Sequence, residues 1–193
     1  MKKTLMRSGF FFALLISFAP LMAQSNVKDS LSIPKEERSV THHSVTIDGK
    51  LITYTATAGA LILRNEQDEP IAFYGYTAYT KDGQSDLSKR PITFSYNGGP
   101  GSSSMWLHMG VMGPKRVIVN DPSDNGPAPY KIEDNQFSTL DISDIVMIDP
   151  IGTGISKAVG KANNKDFWGV DGDIKSVSGF IKQYINENNR WQS

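Results

Sequence analysis

Two short apolar runs in the middle of the chain each end directly on a glycine-rich loop, and this pairing constrains the fold most. Residues 91–96, "PITFSY", lead into Asn97-Gly98-Gly99. Residues 140–150, "LDISDIVMIDP", contain a continuous apolar stretch typical of a strand covered on both faces, and lead into "GTGIS" at 152–156. Strands that end on such loops are typical of an α/β sheet, in which sites lie at the carboxyl ends of the strands.

The segment before these runs has the alternation of an antiparallel meander. Residues 43–63 carry β-branched side chains on both sides of Asp48-Gly49, which is a strong hairpin signal. A second break at Ala58-Gly59 predicts a separate short strand over 60–63, and residues 71–80 alternate again. Between the two glycine loops, residues 120–138 are rich in proline, asparagine and aspartate, which predicts an excursion loop.

The last part of the chain has the spacing of one amphipathic helix. Apolar residues recur every three or four positions from Phe167 onward, which predicts a single apolar stripe comprising Phe167, Val170, Ile174, Val177, Ile181 and Tyr184. We therefore predict an α/β fold. An N-terminal antiparallel meander leads into a mixed, mostly parallel sheet with a C-terminal amphipathic helix.

The N-terminus has the features of a secretory signal peptide. Lys2, Lys3 and Arg7 form a positive region, an apolar stretch follows at 10–18, and Ala23 offers a small residue for cleavage. We predict a signal peptide over 1–23, a flexible leader over 24–41 and one folded region over 42–193. The apolar stretch is too short to span a bilayer, so we expect an exported protein, periplasmic or extracellular, without stable membrane insertion after cleavage.

Composition excludes several classes of function. Removing the signal peptide removes three basic residues and no acidic ones, which leaves a mature net charge of about −3 and no basic block for nucleic acid. The chain has no cysteine, so thiolate catalysis and cysteine–zinc sites are excluded. Its three histidines have no metal-binding spacing. We predict neither a metal nor a cofactor.

Three interpretations of "NGGPGSSS" at 97–104 compete. A phosphate loop needs a lysine after its last glycine, and here Gly101 is followed by serines. A nucleophile elbow needs the pattern G-x-S-x-G, which the chain does not contain. In the third interpretation the glycines leave backbone amides unshielded at the end of a strand, where they can stabilise an oxyanion. From the local sequence alone, a plain glycine turn explains the loop equally well.

Three motifs in order resemble the serine carboxypeptidases of the α/β-hydrolase fold: "NGGPGSSS", then "GVMGP" at 110–114, then "DPIGTGIS" at 149–156. The resemblance covers residues 91–193 and implies a partial α/β-hydrolase fold. It implies that the Gly99 amide is an oxyanion donor. It also implies that the Asn97 side chain, with the Gly98 amide, binds the C-terminal carboxylate of a peptide or protein substrate. The implied activity is the release of C-terminal residues through an acyl-enzyme.

The chain departs from this family in four places. Ser102 stands where many members have cysteine, Ser95 where many have tryptophan, and Val111 where many have a glutamate that helps to bind the substrate carboxylate at acid pH. The segment that carries the family's nucleophile would follow Ser193. We therefore expect no member of the Ser/Asp/His triad in these residues. The chain resembles the N-terminal part of a larger enzyme and is expected to be inactive alone.

Two alternatives stay open at this point. An esterase or lipase of the same fold would use the oxyanion loop without recognising a carboxylate. An exported, non-enzymatic binding module would use the meander for a partner and the second half as a scaffold, because fold resemblance alone does not determine function. The sequence does not decide the oligomeric state or the side-chain preference of the substrate.

Overall fold

The meander at the N-terminal side consists of three long antiparallel strands in the computed structural model, which describes residues 33–98, 101–119 and 126–193. These strands are β1 (Arg38–Ile47), β2 (Lys50–Arg64) and β3 (Pro70–Lys81). The predicted hairpin is confirmed, because Ile47 pairs with Lys50 and both Asp48 and Gly49 have positive φ, 47° and 74°.

Two boundaries differ from the sequence prediction. The first strand begins inside the predicted leader, so residues 38–41 belong to the sheet, whereas the predicted signal peptide lies outside the described residues. The break expected at Ala58-Gly59 is wrong, because β2 continues through both residues. A Cβ at Gly59 would lie 3.1 Å from both the Arg38 Cγ and the Tyr76 hydroxyl on the flanking strands. This glycine therefore serves the packing of neighbouring strands rather than a turn.

After β3 the chain continues to the first of the two apolar runs that end on a glycine-rich loop. This run is β4 (Ile92–Ser95), and it is followed by a short helical turn, α1 (Met105–Leu107), that continues as a π-helical turn over His108–Met112. The expectation of a loop over 120–138 is wrong in part. Residues Ile132–Asp134 form β6, which pairs antiparallel with β5 (Lys115–Val117) in a separate two-stranded sheet.

The second run is β7 (Asp144–Ile148), whose five residues are all buried. Its apolar run at 145–148 predicts this burial for four of them, and the fifth, Asp144, is buried with charged partners. It lies between β3 and β4 and pairs parallel with β4, and the strand order is β1-β2-β3-β7-β4. A two-residue strand, β8 (Lys157–Ala158), also pairs with β3. The mixed sheet is therefore confirmed, but β4–β7 is its one parallel pair among the described residues, so most pairs are antiparallel.

Both faces of the main sheet are covered. On one face Val146 and Ile148 of β7 pack with Tyr74 and Tyr76 of β3 and with Phe180 of the C-terminal helix. On the other face Ile145 and Met147 of the same strand pack with residues of β1, β2 and the turn at 139–141: Val45, Ile47, Ile52, Tyr54 and Leu140. Alternate residues of β7 thus enter two different cores, which is why its sequence is apolar without interruption.

The C-terminal helix is α2 (Val170–Glu187), and the amphipathic helix is confirmed with two changes. Phe167 lies in the preceding 3₁₀ turn, Asn164–Phe167, instead of in the helix. The stripe packs on the sheet only in its second half, because Val170 and Ile174 are 75% and 61% exposed. Among the described residues, no helix is both long enough and apolar enough to cross a membrane.

A buried ion cluster joins the end of the chain to the sheet. Asp144 accepts hydrogen bonds from Arg90 Nε and Arg190 Nη1, each at 2.7 Å, and from the Lys81 backbone amide at 3.0 Å. The two arginines also donate to the backbone carbonyls of Leu140 and Arg90, each at 2.6 Å. All three charged side chains are almost fully buried. The cluster fixes the segment after α2 against the base of β7.

Candidate functional site

The first glycine loop begins two residues after the end of β4, at the carboxyl end of the last strand in the order β1-β2-β3-β7-β4. Gly98 is exposed, and its amide donates no hydrogen bond to any residue that the structure describes. Gly99, the predicted oxyanion donor, lies outside the described residues. In the described part of the chain, the Gly98 N–H therefore stands unbonded beside the Asn97 side chain.

The Asn97 side-chain amide is only half satisfied. Its Nδ2 donates to Ser102 Oγ at 3.2 Å, while its Oδ1 is buried and has no hydrogen-bond partner. A half-turn of the amide exchanges the two atoms, and Ser102 can then donate to the oxygen instead, because a hydroxyl is both donor and acceptor. In either orientation one polar atom of the amide is left without a partner. Buried polar atoms are normally paired, so this amide is well suited to bind a polar ligand atom.

Asn97 and Gly98 line a cavity of about 560 Å³. Its apolar wall comes from Ile151, Phe167, Trp168 and Val170, and it also contains Thr153 and Asp173. The volume and the mixture of an apolar wall with a few polar groups are typical of small-ligand sites. Trp168, which is 59% exposed, contributes a large aromatic surface beside the two loops.

The second glycine loop closes the other side of this cavity and is tied to the first through Asp149. The Asp149 Oδ1 accepts hydrogen bonds from both the backbone amide and the hydroxyl of Ser104, each at 2.9 Å. Gly154 lies so close that a Cβ there would be 1.9 Å from Asp149 Oδ2, and its φ of +51° also favours glycine. The glycine at 154 therefore allows the carboxylate to hold the two loops together.

Three serines of these loops, Ser102, Ser104 and Ser156, have structural partners. Ser156 is 4% exposed, and its Oγ accepts the Gly75 amide hydrogen at 2.8 Å, which agrees with a turn role rather than a catalytic one. Ser104 donates to Asp149, and Ser102 accepts from Asn97. No serine among the described residues is hydrogen-bonded to a histidine side chain. The base that a serine nucleophile needs is therefore not placed beside any of them.

The histidines are occupied elsewhere. His42 and His43 contact threonine hydroxyls on the outer strands. His108 is hydrogen-bonded through Nε2 to the Tyr79 hydroxyl. Burial lowers the pKa of His108, although the negative charge of Asp149 opposes this shift, and burial raises the pKa of Tyr79 to about 12. Both side chains are therefore neutral at physiological pH and form a packing contact rather than an acid–base pair.

Val111, at the position where the resemblance would place a glutamate, lies in the π-helical turn and is exposed. Its carbonyl accepts a hydrogen bond from Asn135 Nδ2 at 2.8 Å. This position offers no carboxyl group to a ligand. Among the described residues, no group of three or more histidine, aspartate or glutamate side chains is placed to hold a metal ion.

The solved structures that are similar to this chain include a carboxypeptidase. The chain is similar to Kex1(delta)p, a prohormone-processing carboxypeptidase from Saccharomyces cerevisiae, with 28% sequence identity and a TM-score of 0.48. The match covers 69% of this chain, and the chain spans 28% of the length of that protein. No protein-family model and no curated protein matches the chain.

The sequence predicts Asn97 and Gly98 as site residues but not the cavity wall opposite them. It places Phe167 and Val170 on the apolar stripe of a helix and assigns no role to Trp168 or Asp173, because a periodic pattern does not show which helical residues border a cavity. The sequence signal is the dipeptide Trp168-Gly169 before the helix, because glycine permits the positive φ of +96° that the structure has just before α2. An exposed tryptophan beside such a glycine is a reasonable candidate for a ligand-binding position.

Proposed function

We propose that this chain forms the substrate-binding part of an exported serine carboxypeptidase that acts on the C-terminus of peptides. The observation that carries the proposal is the half-satisfied amide of Asn97 beside the free Gly98 N–H, at the mouth of a cavity with an apolar wall. The ordered motifs at 97–104, 110–114 and 149–156 agree with it. The predicted signal peptide supports export.

In this proposal the terminal carboxylate of the substrate binds to Asn97 and Gly98. A neutral amide and a backbone N–H donate to a carboxylate at any pH, so binding does not depend on a titrating group. This matters because Val111 replaces the carboxyl group that would otherwise add a proton-dependent contact. The side chain of the terminal residue would lie along the apolar wall formed by Ile151 and Trp168.

The same loop would serve the reacting carbonyl. In a peptide, the terminal carboxylate and the scissile carbonyl are separated by one residue, which is about 4 Å of backbone. Asn97 and Gly99 are two residues apart, so they are separated by at most about 7 Å. One short loop can thus bind the carboxylate through Asn97 and Gly98 while the Gly99 amide donates to the oxyanion of the tetrahedral intermediate.

The nucleophilic serine and its base are not supplied by the described residues of this chain. We therefore expect the 193-residue chain to bind substrate without hydrolysing it. The whole protein's activity is tested on the product of the complete reading frame that contains this sequence, with a serine-directed phosphonate and with two matched peptides that differ only in a C-terminal acid or amide.

A carboxypeptidase is labelled covalently by the phosphonate and hydrolyses the acid much faster than the amide. If the phosphonate labels the protein but the peptide acid and the peptide amide are hydrolysed equally fast, the carboxypeptidase is refuted and an esterase-like or endopeptidase activity is supported. Absence of labelling by a folded, full-length product would refute a serine enzyme and favour the binding module. Hydrolysis of the peptide acid by the 193-residue chain alone would show that its nucleophile has been missed.

A further inference from the structure

We propose that Asn97–Gly98 is a site of spontaneous deamidation. In this reaction the Gly98 backbone nitrogen attacks Asn97 Cγ and forms a cyclic imide. The imide then opens to aspartate or isoaspartate at position 97. The proposal rests on the dipeptide itself, on the freedom of the Gly98 backbone and on the weak restraint of the Asn97 side chain.

The Gly98 backbone is free to move toward the side chain before it. A Cβ at this position would meet no atom within 4 Å, the residue is exposed, and its amide is not held in a hydrogen bond by any described residue. Glycine also lacks the side chain that hinders the approach of its own nitrogen to the preceding residue. The strand β4 ends at Ser95, so no ladder hydrogen bond restrains this pair.

The Asn97 side chain is held by one long contact. Its Nδ2 donates to Ser102 Oγ at 3.2 Å, which is at the long end of the usual range, and its Oδ1 has no partner. Rotation of the amide therefore breaks at most one weak hydrogen bond. The Ser102 hydroxyl also lies beside the nitrogen that must leave, where it can donate a proton to that nitrogen.

Asn135 is a matched counter-example within the same chain. It is 1% exposed, its Nδ2 donates to the carbonyls of Val111 and Gly113, both at 2.8 Å, and its Oδ1 accepts the Phe137 amide hydrogen at 3.1 Å. Its side chain is fixed by three hydrogen bonds, and the residue after it is glutamine. The two asparagines therefore differ in both the restraint and the neighbour that determine the reaction.

The step balances with water as the co-reactant. Loss of the Gly98 N–H proton gives a nitrogen that bonds to Asn97 Cγ, and the Cγ–Nδ2 bond breaks with release of ammonia. Water then adds to one of the two imide carbonyls and opens the ring, which leaves a free carboxylate. Because the first step removes a proton, the rate rises with hydroxide concentration.

The consequence for binding rests on the proposed function. The reaction replaces the amide, which donates hydrogen bonds, by a carboxylate, which accepts them and carries a negative charge. Such a group repels the carboxylate of a substrate. The isoaspartate product also adds a carbon to the backbone beside Gly98. Deamidation therefore removes carboxylate binding as the protein ages.

The chemistry is tested on the purified chain, incubated at mildly acidic and at mildly alkaline pH and then digested with trypsin. Asn97 and Asn135 fall in separate peptides, 90–115 and 132–157. We expect peptide 90–115 to gain the mass of an NH-to-O exchange with time, faster at alkaline pH, while peptide 132–157 stays unchanged. A sample digested without incubation corrects for modification during digestion. In heavy-oxygen water, the product must take up the labelled oxygen.

A Gly98→Ala variant is the matched control, since its added methyl group meets no neighbour and the fold is retained. It should lose most of the mass gain. The proposal is overturned if peptide 90–115 stays unmodified in the folded protein but changes in urea, or if Gly98→Ala reacts as fast as the parent chain.

The effect on binding is measured separately, by titrating fresh and aged protein with an N-acetylated dipeptide acid. Binding capacity should fall in proportion to the modified fraction. If fresh protein does not bind, the proposed function fails while the mass data still decide the chemistry. If fully modified protein binds as well as fresh protein, the inferred loss of binding fails.

Discussion

Removing the carboxylate of Asp144 should be among the most damaging single changes in this fold. The side chain is 2% exposed and accepts three hydrogen bonds, two from guanidinium groups at 2.7 Å. An Asp144→Ala variant leaves Arg90 and Arg190 buried without a counter-charge. Breaking a buried ion pair in this way costs about 3–5 kcal/mol, which is a large part of the ~5–15 kcal/mol that stabilises a typical domain.

The assay is urea unfolding followed by tryptophan fluorescence. With a denaturant slope of about 2 kcal/mol per molar, a loss of about 4 kcal/mol lowers the unfolding midpoint by about 2 M. Asp144→Asn keeps the shape but loses the charge and turns an N–H toward a guanidinium, so it should be destabilising as well. Glu69→Gln is the matched control, because Glu69 pairs with Lys161 at the surface and should leave the midpoint almost unchanged. Midpoints near the parent value for both Asp144 variants would refute the reasoning.

Three further predictions concern the loops and the buried histidine. Because burial lowers the pKa of His108, the unfolded chain binds a proton at this histidine before the folded chain does as pH falls. Stability that is present above about pH 6.5 is therefore lost below it. His108→Gln should reduce this loss when the free energy of unfolding is measured against pH. Ser156→Ala leaves the Gly75 N–H buried without an acceptor and should cost about 1–3 kcal/mol of unfolding free energy, and equal stability would contradict this role. Asp149→Ala frees the amide of Ser104, whose hydrogen exchange should accelerate while that of the β7 amides does not.

Local features of the fold could be predicted from the sequence. The Asp48–Gly49 hairpin follows from the φ preferences of two residues, and β7 follows from its continuous apolar run. The position of Asn97 and Gly98 at the end of a strand followed in the same way. Each of these features is determined by neighbouring residues, so a short stretch of sequence is enough to predict it.

Other features depend on residues distant in the sequence and could not be predicted. The glycine at 59 predicts a break in the strand, and only the closeness of Arg38 and Tyr76 shows that it is packed inside one continuous strand. The salt bridge of Arg190 with Asp144 joins residues 46 positions apart. Periodicity predicted the apolar stripe of α2 without showing that Val170 and Ile174 in its first half are exposed, or that Val170 lines the cavity.

The central claim is that Asn97 and Gly98 bind the terminal carboxylate of a peptide, and NMR titration of the chain tests it most directly. The side-chain amide of Asn97 and the backbone amide of Gly98 should shift on addition of an N-acetylated dipeptide acid and stay unchanged with the same dipeptide amide. The Asn135 side-chain amide, held by two carbonyls, provides a reference that should not move. Equal shifts with acid and amide, or none with either, would contradict the account.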